Sequence, residues 1–233
     1  MVGSVMVYAF QDEFDVGLDL TKWEVLYSED VAISTEAGKL KVTMLASEGA
    51  RGLICRTIKK FTMITSQGAS LEASFLYGSG FGLVISNEKI SDLVDLKNGY
   101  MIYKDHYNAA LGVAKKVNGT TNPLGFLEGV TEEVGVIKLD ISADKKIEIY
   151  FNDKKIVTDT YDLPSPENYI IFIVSVAAPP VNKPVGYIDY VRLWAGEWVP
   201  TATVQQMVML LATILPLIMV IMFMRQIIEA LRS

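Results

Sequence analysis

Apolar and polar residues alternate one for one along much of this chain. Val136-Ile137-Lys138-Leu139-Asp140-Ile141 and Lys146-Ile147-Glu148-Ile149-Tyr150-Phe151 place apolar side chains on one face and charged ones on the other. That two-residue period is the mark of a half-buried β-strand. Leu71-Glu72-Ala73-Ser74-Phe75-Leu76-Tyr77 follows the same rule and stops at Gly78-Ser79-Gly80. Asn152-Asp153, set before Lys155-Ile156-Val157-Thr158, predicts a tight hairpin. Tyr169 to Val176 is almost continuously apolar, as a central strand covered on both faces must be. Met1 to Phe10 reads as the first strand and Gly186 to Trp194 as the last; Glu88 to Lys97 is the one predicted short helix. Gly78-x-Gly80-x-Gly82 follows a strand but opens no helix, so it predicts a hairpin turn rather than a phosphate loop. Many strands punctuated by Gly, Pro, Asn and Asp predict an all-β sandwich of two antiparallel sheets.

The pattern changes near the C-terminus. Met207 to Met224 are eighteen consecutive residues without a charge. A helix of that length rises about 27 Å, close to the ~30 Å hydrocarbon core of a bilayer. The expectation is one C-terminal transmembrane α-helix, with Pro216 kinking it and Thr201 or Thr203 capping its start. A buried helix of a soluble core is the competing reading. Trp194 and Trp198 lie upstream and Arg225 immediately downstream, where interfacial aromatics and a charged flank anchor a span. The predicted division is a sandwich head over 1–194, a short linker over 195–203, and the span with a charged tail over 204–233. Arg225 and Arg232 behind the span place the C-terminus in the cytoplasm and the head outside; the lack of a convincing leader argues for a tail anchor with a cytosolic head.

Charge narrows the partners. The chain carries a net charge of −6, and the head alone is more acidic still, because the segment after Thr203 contributes two arginines against Glu229. Nucleic acid is not an expected partner, since phosphate binding needs concentrated basic surface. Cys55 is the single cysteine and lies in the apolar stretch Leu53-Ile54-Cys55, so it predicts a buried, inert thiol and no internal disulfide. His106 is the single histidine, which leaves no Cys/His zinc cluster. Asn118-Gly119-Thr120 is a glycosylation triplet in an evident turn, and Asn118 is its candidate acceptor.

The order of motifs carries a resemblance. Phe10-Gln11-Asp12-Glu13-Phe14-Asp15 with Leu18-Asp19-Leu20-Thr21-Lys22-Trp23, then Gly38-Lys39-Leu40-Lys41-Val42, then Asn98-Gly99-Tyr100-Met101-Ile102, then Tyr187-Ile188-Asp189-Tyr190-Val191-Arg192 resemble successive strands of the concanavalin A-like lectin/glucanase (laminin G-like) domains. The match spans roughly 7–194. It implies a jelly roll of two antiparallel sheets whose concave face often binds glycans. Hydrolytic members use a Glu-x-Asp-x-(x)-Glu strand, in which alternation sets the carboxylates on one face. Here the corresponding stretch after Ile85 reads Ser86-Asn87-Glu88-Lys89-Ile90-Ser91-Asp92-Leu93, without that triad. The implied protein is therefore non-catalytic. The resemblance also implies a structural calcium, with Asp189 and, more loosely, Glu13 as ligands.

Tyr77, Phe81, Tyr100, Tyr103 and Tyr107 are the candidate ligand-stacking aromatics, because sugar rings present apolar C–H faces to flat side chains. Core packing is the competing role for each. Two functions follow from the sequence. One is a membrane-anchored, lectin-like surface protein that binds a glycan or another surface partner. The other is a repeated structural subunit of a cell-surface, envelope or virion assembly, in which homo-oligomer contacts replace ligand binding.

Overall fold

The computed structural model describes residues 4–76, 80–90, 93–104, 109–130, 134–177 and 184–200, with side chains from residue 8 to residue 195 within those ranges. Tyr8–Gly196 forms one compact unit and Met1–Val7 with Glu197–Ser233 a second; the sandwich is the first. The apolar run Met207–Met224 and Arg225 lie outside the described residues, as do Tyr77, His106 and Tyr107; the side chain of Trp198 is likewise undescribed. Among the described residues no helix is long and apolar enough to cross a membrane.

The strands in chain order are β1 (Ser4–Asp12), β2 (Trp23–Tyr27), β3 (Val31–Glu36), β4 (Lys39–Met44), β5 (Ala50–Thr57), β6 (Phe61–Thr62), β7 (Ala69–Leu76) and β8 (Gly80–Ser86). There follow β9 (Gly99–Lys104), β10 (Ala110–Val117), β11 (Thr120–Glu128), β12 (Val134–Ile141), β13 (Lys146–Phe151), β14 (Lys154–Thr160), β15 (Glu167–Ala177) and β16 (Val185–Pro200). They form two antiparallel sheets. The first runs β14-β13-β12-β7-β16-β4-β3, with β1 also pairing β16; the second runs β11-β10-β9-β8-β15-β5-β2, with β6 also pairing β15. The alternating segments β12 and β13 lie side by side, with Leu139 opposite Ile149, and their odd-numbered residues face the core. The predicted hairpin turn is two residues, Asn152 and Asp153, both at positive φ (46° and 63°), the conformation a type I′ turn demands.

The core is sewn from both sheets. Trp23 is its largest buried side chain: it meets Phe172 edge-on at 4.8 Å and Phe10 edge-on at 5.2 Å, and its indole Nε1 donates to Asp12 Oδ2 at 2.7 Å. The other Asp12 oxygen accepts the Phe14 N–H at 3.0 Å. The opening Phe-Gln-Asp-Glu-Phe motif therefore has a physical reason: Asp12 satisfies the donors that the Phe14 turn and Trp23 would otherwise bury unpaired. Cys55 faces this core from β5, and burial raises its thiol pKa well above the usual range, as expected of an inert thiol.

Three expectations need correction. Gly78–Gly82 does not close a hairpin, because β7 belongs to the first sheet and β8 to the second; the chain crosses between layers there. Glu88–Lys97 is not a helix: the described part holds only a 3-10 turn, Leu93–Asp95. Its backbone is claimed by other partners. Arg56 Nη1 donates to the Ile90 carbonyl at 2.5 Å, and Glu88 accepts the N–H groups of Lys97 at 2.8 Å and Asn98 at 3.2 Å, tying the segment into a loop. Ile90 and Leu96 of that loop pack on Val84 and Ile171, on the outside of the second sheet. The last strand does not end at Trp194 but continues to Pro200, so most of the expected linker is strand.

Candidate functional site

The outward face of the second sheet is where a ligand surface is built. In β9, Tyr100 and Ile102 point into the core, so Met101 and Tyr103 point out. Tyr103 is 44% exposed. Its cross-strand neighbours are Gly82 on β8 and Gly112 on β10. A Cβ at Gly112 would lie 3.3 Å from Tyr103 Cζ, which places the ring over the glycine. One at Gly82 would stand 3.2 Å from Ile173 Cδ1 and 3.4 Å from Tyr103 Cβ. The two glycines thus give the tyrosine a floor without side chains of its own.

The same register row continues both ways. Gly112 is opposite Phe126 on edge strand β11, which is 67% exposed. Gly82 is opposite Ile173, Ile173 opposite Ile54, and Ile54 opposite Tyr27 on edge strand β2, which is 37% exposed. One row across seven strands therefore reads Phe126, Gly112, Tyr103, Gly82, Ile173, Ile54, Tyr27. At ~4.8 Å between strands, Phe126 stands about 10 Å from Tyr103, and Tyr27 about 19 Å from it on the other side. The adjacent row, Gly80, Ser175 and Gly52, carries almost no side-chain bulk. On the other flank the 88–97 loop forms a wall, held by Arg56, which is buried, stacks on Tyr169 at 4.9 Å and pairs with Glu24. The result is a strip of aromatic and aliphatic surface with a low margin on one side and a wall on the other.

Chemistry on this face is sparse. The outward positions of β8, β9 and β10 are Gly80, Gly82, Val84, Ser86, Met101, Tyr103, Gly112, Ala114 and Lys116, with no carboxylate among them. Glu24, at the edge, is bound to Arg56.

The sequence-predicted aromatics divide. Phe81 and Tyr100 do not belong to the strip. Phe81 is 5% exposed and stacks on Phe75 at 5.1 Å and Phe151 at 5.9 Å. Tyr100 is fully buried, and its hydroxyl donates to Asp159 Oδ2 and the Thr160 carbonyl, both at 2.9 Å. Lys115 bridges Asp159 and Asp162 above that ring, at 2.8 and 3.2 Å. Burial first, then the Asp159 carboxylate, raises the Tyr100 pKa far above its normal value. For both, core packing rather than ligand stacking is the role: β8 and β9 do pair, but Phe81 and Tyr100 sit at inward positions. Tyr103 alone of the described candidates faces outward. Tyr27 and Phe126 were missed, although Gly80-x-Gly82 and Ala110-x-Gly112-x-Ala114 signal strands with one face stripped of bulk.

The calcium candidates are held by cations. Both Glu13 oxygens receive Arg192, at 2.7 Å from Nε and 2.6 Å from Nη2, and this pairing, opposed by burial, lowers the Glu13 pKa. Asp189 pairs with Lys39 at 2.9 Å. Among the described residues no three His, Cys, Asp or Glu side chains gather as a metal site would require. Trp194 is buried within β16 opposite Ser70, not displayed at a membrane interface. Asn118 is exposed at the tip of the β10–β11 hairpin, at φ 49° with Gly119 at 83°, so Asn-Gly also has a turn-forming reason to be there.

No protein-family model and no curated protein matches the chain. Solved structures do. The carbohydrate recognition domain of Emp46p in its potassium-bound form aligns with TM-score 0.57 at 11% identity, over 83% of this chain and 97% of that one. The Bacillus licheniformis β-glucanase aligns with TM-score 0.55 at 11% identity, over 83% and 98%. The carbohydrate-binding module CBM66 from Bacillus subtilis aligns with TM-score 0.51 at 14% identity, over 75% and 96%. The fold is the concanavalin A-like jelly roll. At these identities the likeness is one of architecture, shared by binding domains and glucanases alike.

Proposed function

We propose that this chain is a non-catalytic, lectin-like glycan-binding module whose site is the strip centred on Tyr103, carried on a membrane by the apolar segment Met207–Met224. The observation that carries the reading is the exposed Tyr103 ring lying over Gly112 and beside Gly82, in one row with Phe126 and Tyr27. An aromatic presented flat offers sugar C–H faces a large contact area at little conformational cost. Two of the similar folds are named for carbohydrate binding, which favours this use of the scaffold. The absence of carboxylates from the outward positions of β8–β10 favours binding over hydrolysis. The bilayer reading rests on the length of the uncharged run, and Arg225 and Arg232 favour an outside head with a cytoplasmic tail.

A glycan array probed with the detergent-solubilised full-length chain tests the site: the wild type binds a subset of glycans and Tyr103→Ala loses them. Equal array profiles for the two proteins contradict it. Protease protection on intact membranes tests the topology, with a cytoplasmic head as the contradicting result.

One observation favours the structural-subunit reading. In sequence only ten residues, 197–206, separate the compact sandwich unit Tyr8–Gly196 from Met207. So short a tether suits a packed layer of heads better than a far-reaching adhesin. Native mass measurement of the extracted protein distinguishes the two: a defined large oligomer supports the layer, and a monomer that binds glycan supports the lectin.

A further inference from the structure

The large side chains of the strip recur at a fixed interval. Phe126, Tyr103, Ile173 and Tyr27 stand on β11, β9, β15 and β2, every second strand of the sheet. Gly112 and Gly82 fill the strands between the first three, and Ile54 on β5 lies between the last two. Two strand steps of ~4.8 Å make an interval of about 10 Å, and three such intervals span about 29 Å. No residue of the row is charged. Its ends are the outermost strands of the sheet's path, β11 and β2, so it is not stopped by a further strand on either side.

The two glycines have different causes. At Gly82 a Cβ would come within 3.0 Å of the Ile102 carbonyl oxygen, so backbone packing alone asks for glycine. At Gly112 the three nearest atoms all belong to Tyr103, its Cζ, Cε1 and hydroxyl oxygen at 3.3, 3.4 and 3.5 Å. Only the ring requires that glycine. At the far end the Tyr27 hydroxyl donates to Glu29 Oε2 at 3.3 Å, which ties the second exposed tyrosine in place.

A single sugar would use one of these side chains; a row of them suits an extended ligand. A chain of β-1,4-linked pyranoses is a flat ribbon. Successive rings turn over, so equivalent rings recur once per disaccharide, and every ring offers an apolar C–H face to a flat side chain. That disaccharide repeat matches the interval between the large side chains. A β-1,3-linked chain curves and an α-1,4-linked chain coils, so neither follows one register row from edge to edge.

We propose that the strip takes an internal stretch of a neutral, linear β-1,4-linked polysaccharide, three disaccharides long, lying across the strands. The proposal rests on the glycan reading above and adds linkage, length and direction to it.

Native affinity electrophoresis of the full-length chain in hydroxyethylcellulose, glucomannan, laminarin or soluble starch tests the linkage, and calorimetry with cellobiose, cellotriose and cellohexaose tests the length. The expected result is retardation by the two β-1,4-linked polymers about tenfold stronger than by the other two, and cellohexaose binding about tenfold tighter than cellotriose. Tyr27→Ala with Phe126→Ala removes the advantage of the hexasaccharide and leaves the trisaccharide affinity at its wild-type value, a split that a folding defect would not produce. Laminarin or starch bound as strongly as the β-1,4-linked polymers, or cellohexaose bound no better than cellobiose, overturns the inference; the glycan site itself stands if Tyr103→Ala abolishes that binding. No binding to any of these saccharides with a positive glycan array also overturns the inference alone. No binding to them with a blank array overturns both readings.

Discussion

The two sheets of this sandwich share a core and differ completely on their outward faces. On the first sheet the outward row Lys155, Tyr150, Lys138, Glu72, Arg192 is charged from edge to centre. Its members answer one another: Lys138 pairs with Asp140 at 2.8 Å, Lys146 and Lys155 with Glu148 at 2.9 and 3.1 Å, and Arg192 holds Glu13 while its guanidinium lies 4.0 Å over the Tyr190 ring. On the second sheet the corresponding row is Phe126, Tyr103, Ile173, Ile54 and Tyr27, separated by glycines. The named charges of the first face have partners, Glu72 accepting from the Tyr190 hydroxyl. The second leaves aromatic surface exposed over a bare floor, which water rewards poorly and a flat apolar ligand rewards well. Fold similarity cannot make this distinction, because the same architecture serves both binding domains and glucanases.

The strongest test of the difference is to strip the second face. Tyr103→Ala with Phe126→Ala is expected to weaken glycan binding by about 2 kcal/mol or more, ~30-fold, with the fold retained because both rings are exposed. Titration calorimetry against an array-identified glycan measures it. Next in size is a change that leaves the aromatics in place. Gly112→Val puts a side chain where a Cβ alone would already lie 3.3 Å from the Tyr103 ring. The ring must tilt, and the affinity is expected to fall about tenfold, since the lost contact approaches 1.4 kcal/mol; an unchanged affinity shows that ring placement is irrelevant.

The first face should respond in stability rather than binding. Arg192→Ala removes a bidentate partner from Glu13 and is expected to cost about 1 kcal/mol in denaturant unfolding, with glycan affinity unchanged. Acid sharpens the same contrast. Lys146, then Lys155 and Tyr150, lower the Glu148 pKa to about 2, and Arg192 chiefly lowers that of Glu13. Folded-state values below the unfolded ones contribute stability above about pH 4.5, and that contribution fades as the pH falls toward about 2. The melting temperature should therefore drop across that window, and Glu148→Gln should flatten the drop. The smallest expected effect is that of a chelator. With Glu13 and Asp189 both held by cations, EDTA should leave the melting temperature unchanged, and a fall would restore calcium as a ligand of these carboxylates.

How far the sequence reached depended on periodicity. It carried the strands well, because a two-residue alternation survives as a burial pattern, as in Lys146–Phe151. Turn chemistry carried Asn152-Asp153 for the same local reason. It failed at Glu88–Lys97, where Arg56, distant in sequence, and Glu88, reaching across its own loop to Lys97 and Asn98, override helical spacing. It also failed to tell Phe81 and Tyr100 from Tyr103. All three are aromatics in apolar strands, and only the sheet register says which face each one takes. The site was legible in the glycines rather than in the aromatics: a strand that alternates small residues with large apolar ones has been cleared on one side. Tyr27 and Phe126 join the site only through cross-strand pairing, which no local window contains.

The two faces supply their own control. Tyr150 stands on the charged face, hydrogen-bonded to Glu148 at 3.0 Å, and Tyr103 on the bare one. Glycan affinity of Tyr103→Ala and Tyr150→Ala, measured side by side on the full-length chain by calorimetry, tests whether the second sheet's outward face is the ligand site. The account predicts a loss of tenfold or more for Tyr103→Ala and wild-type affinity for Tyr150→Ala. Equal losses, or a loss confined to Tyr150→Ala, would contradict it.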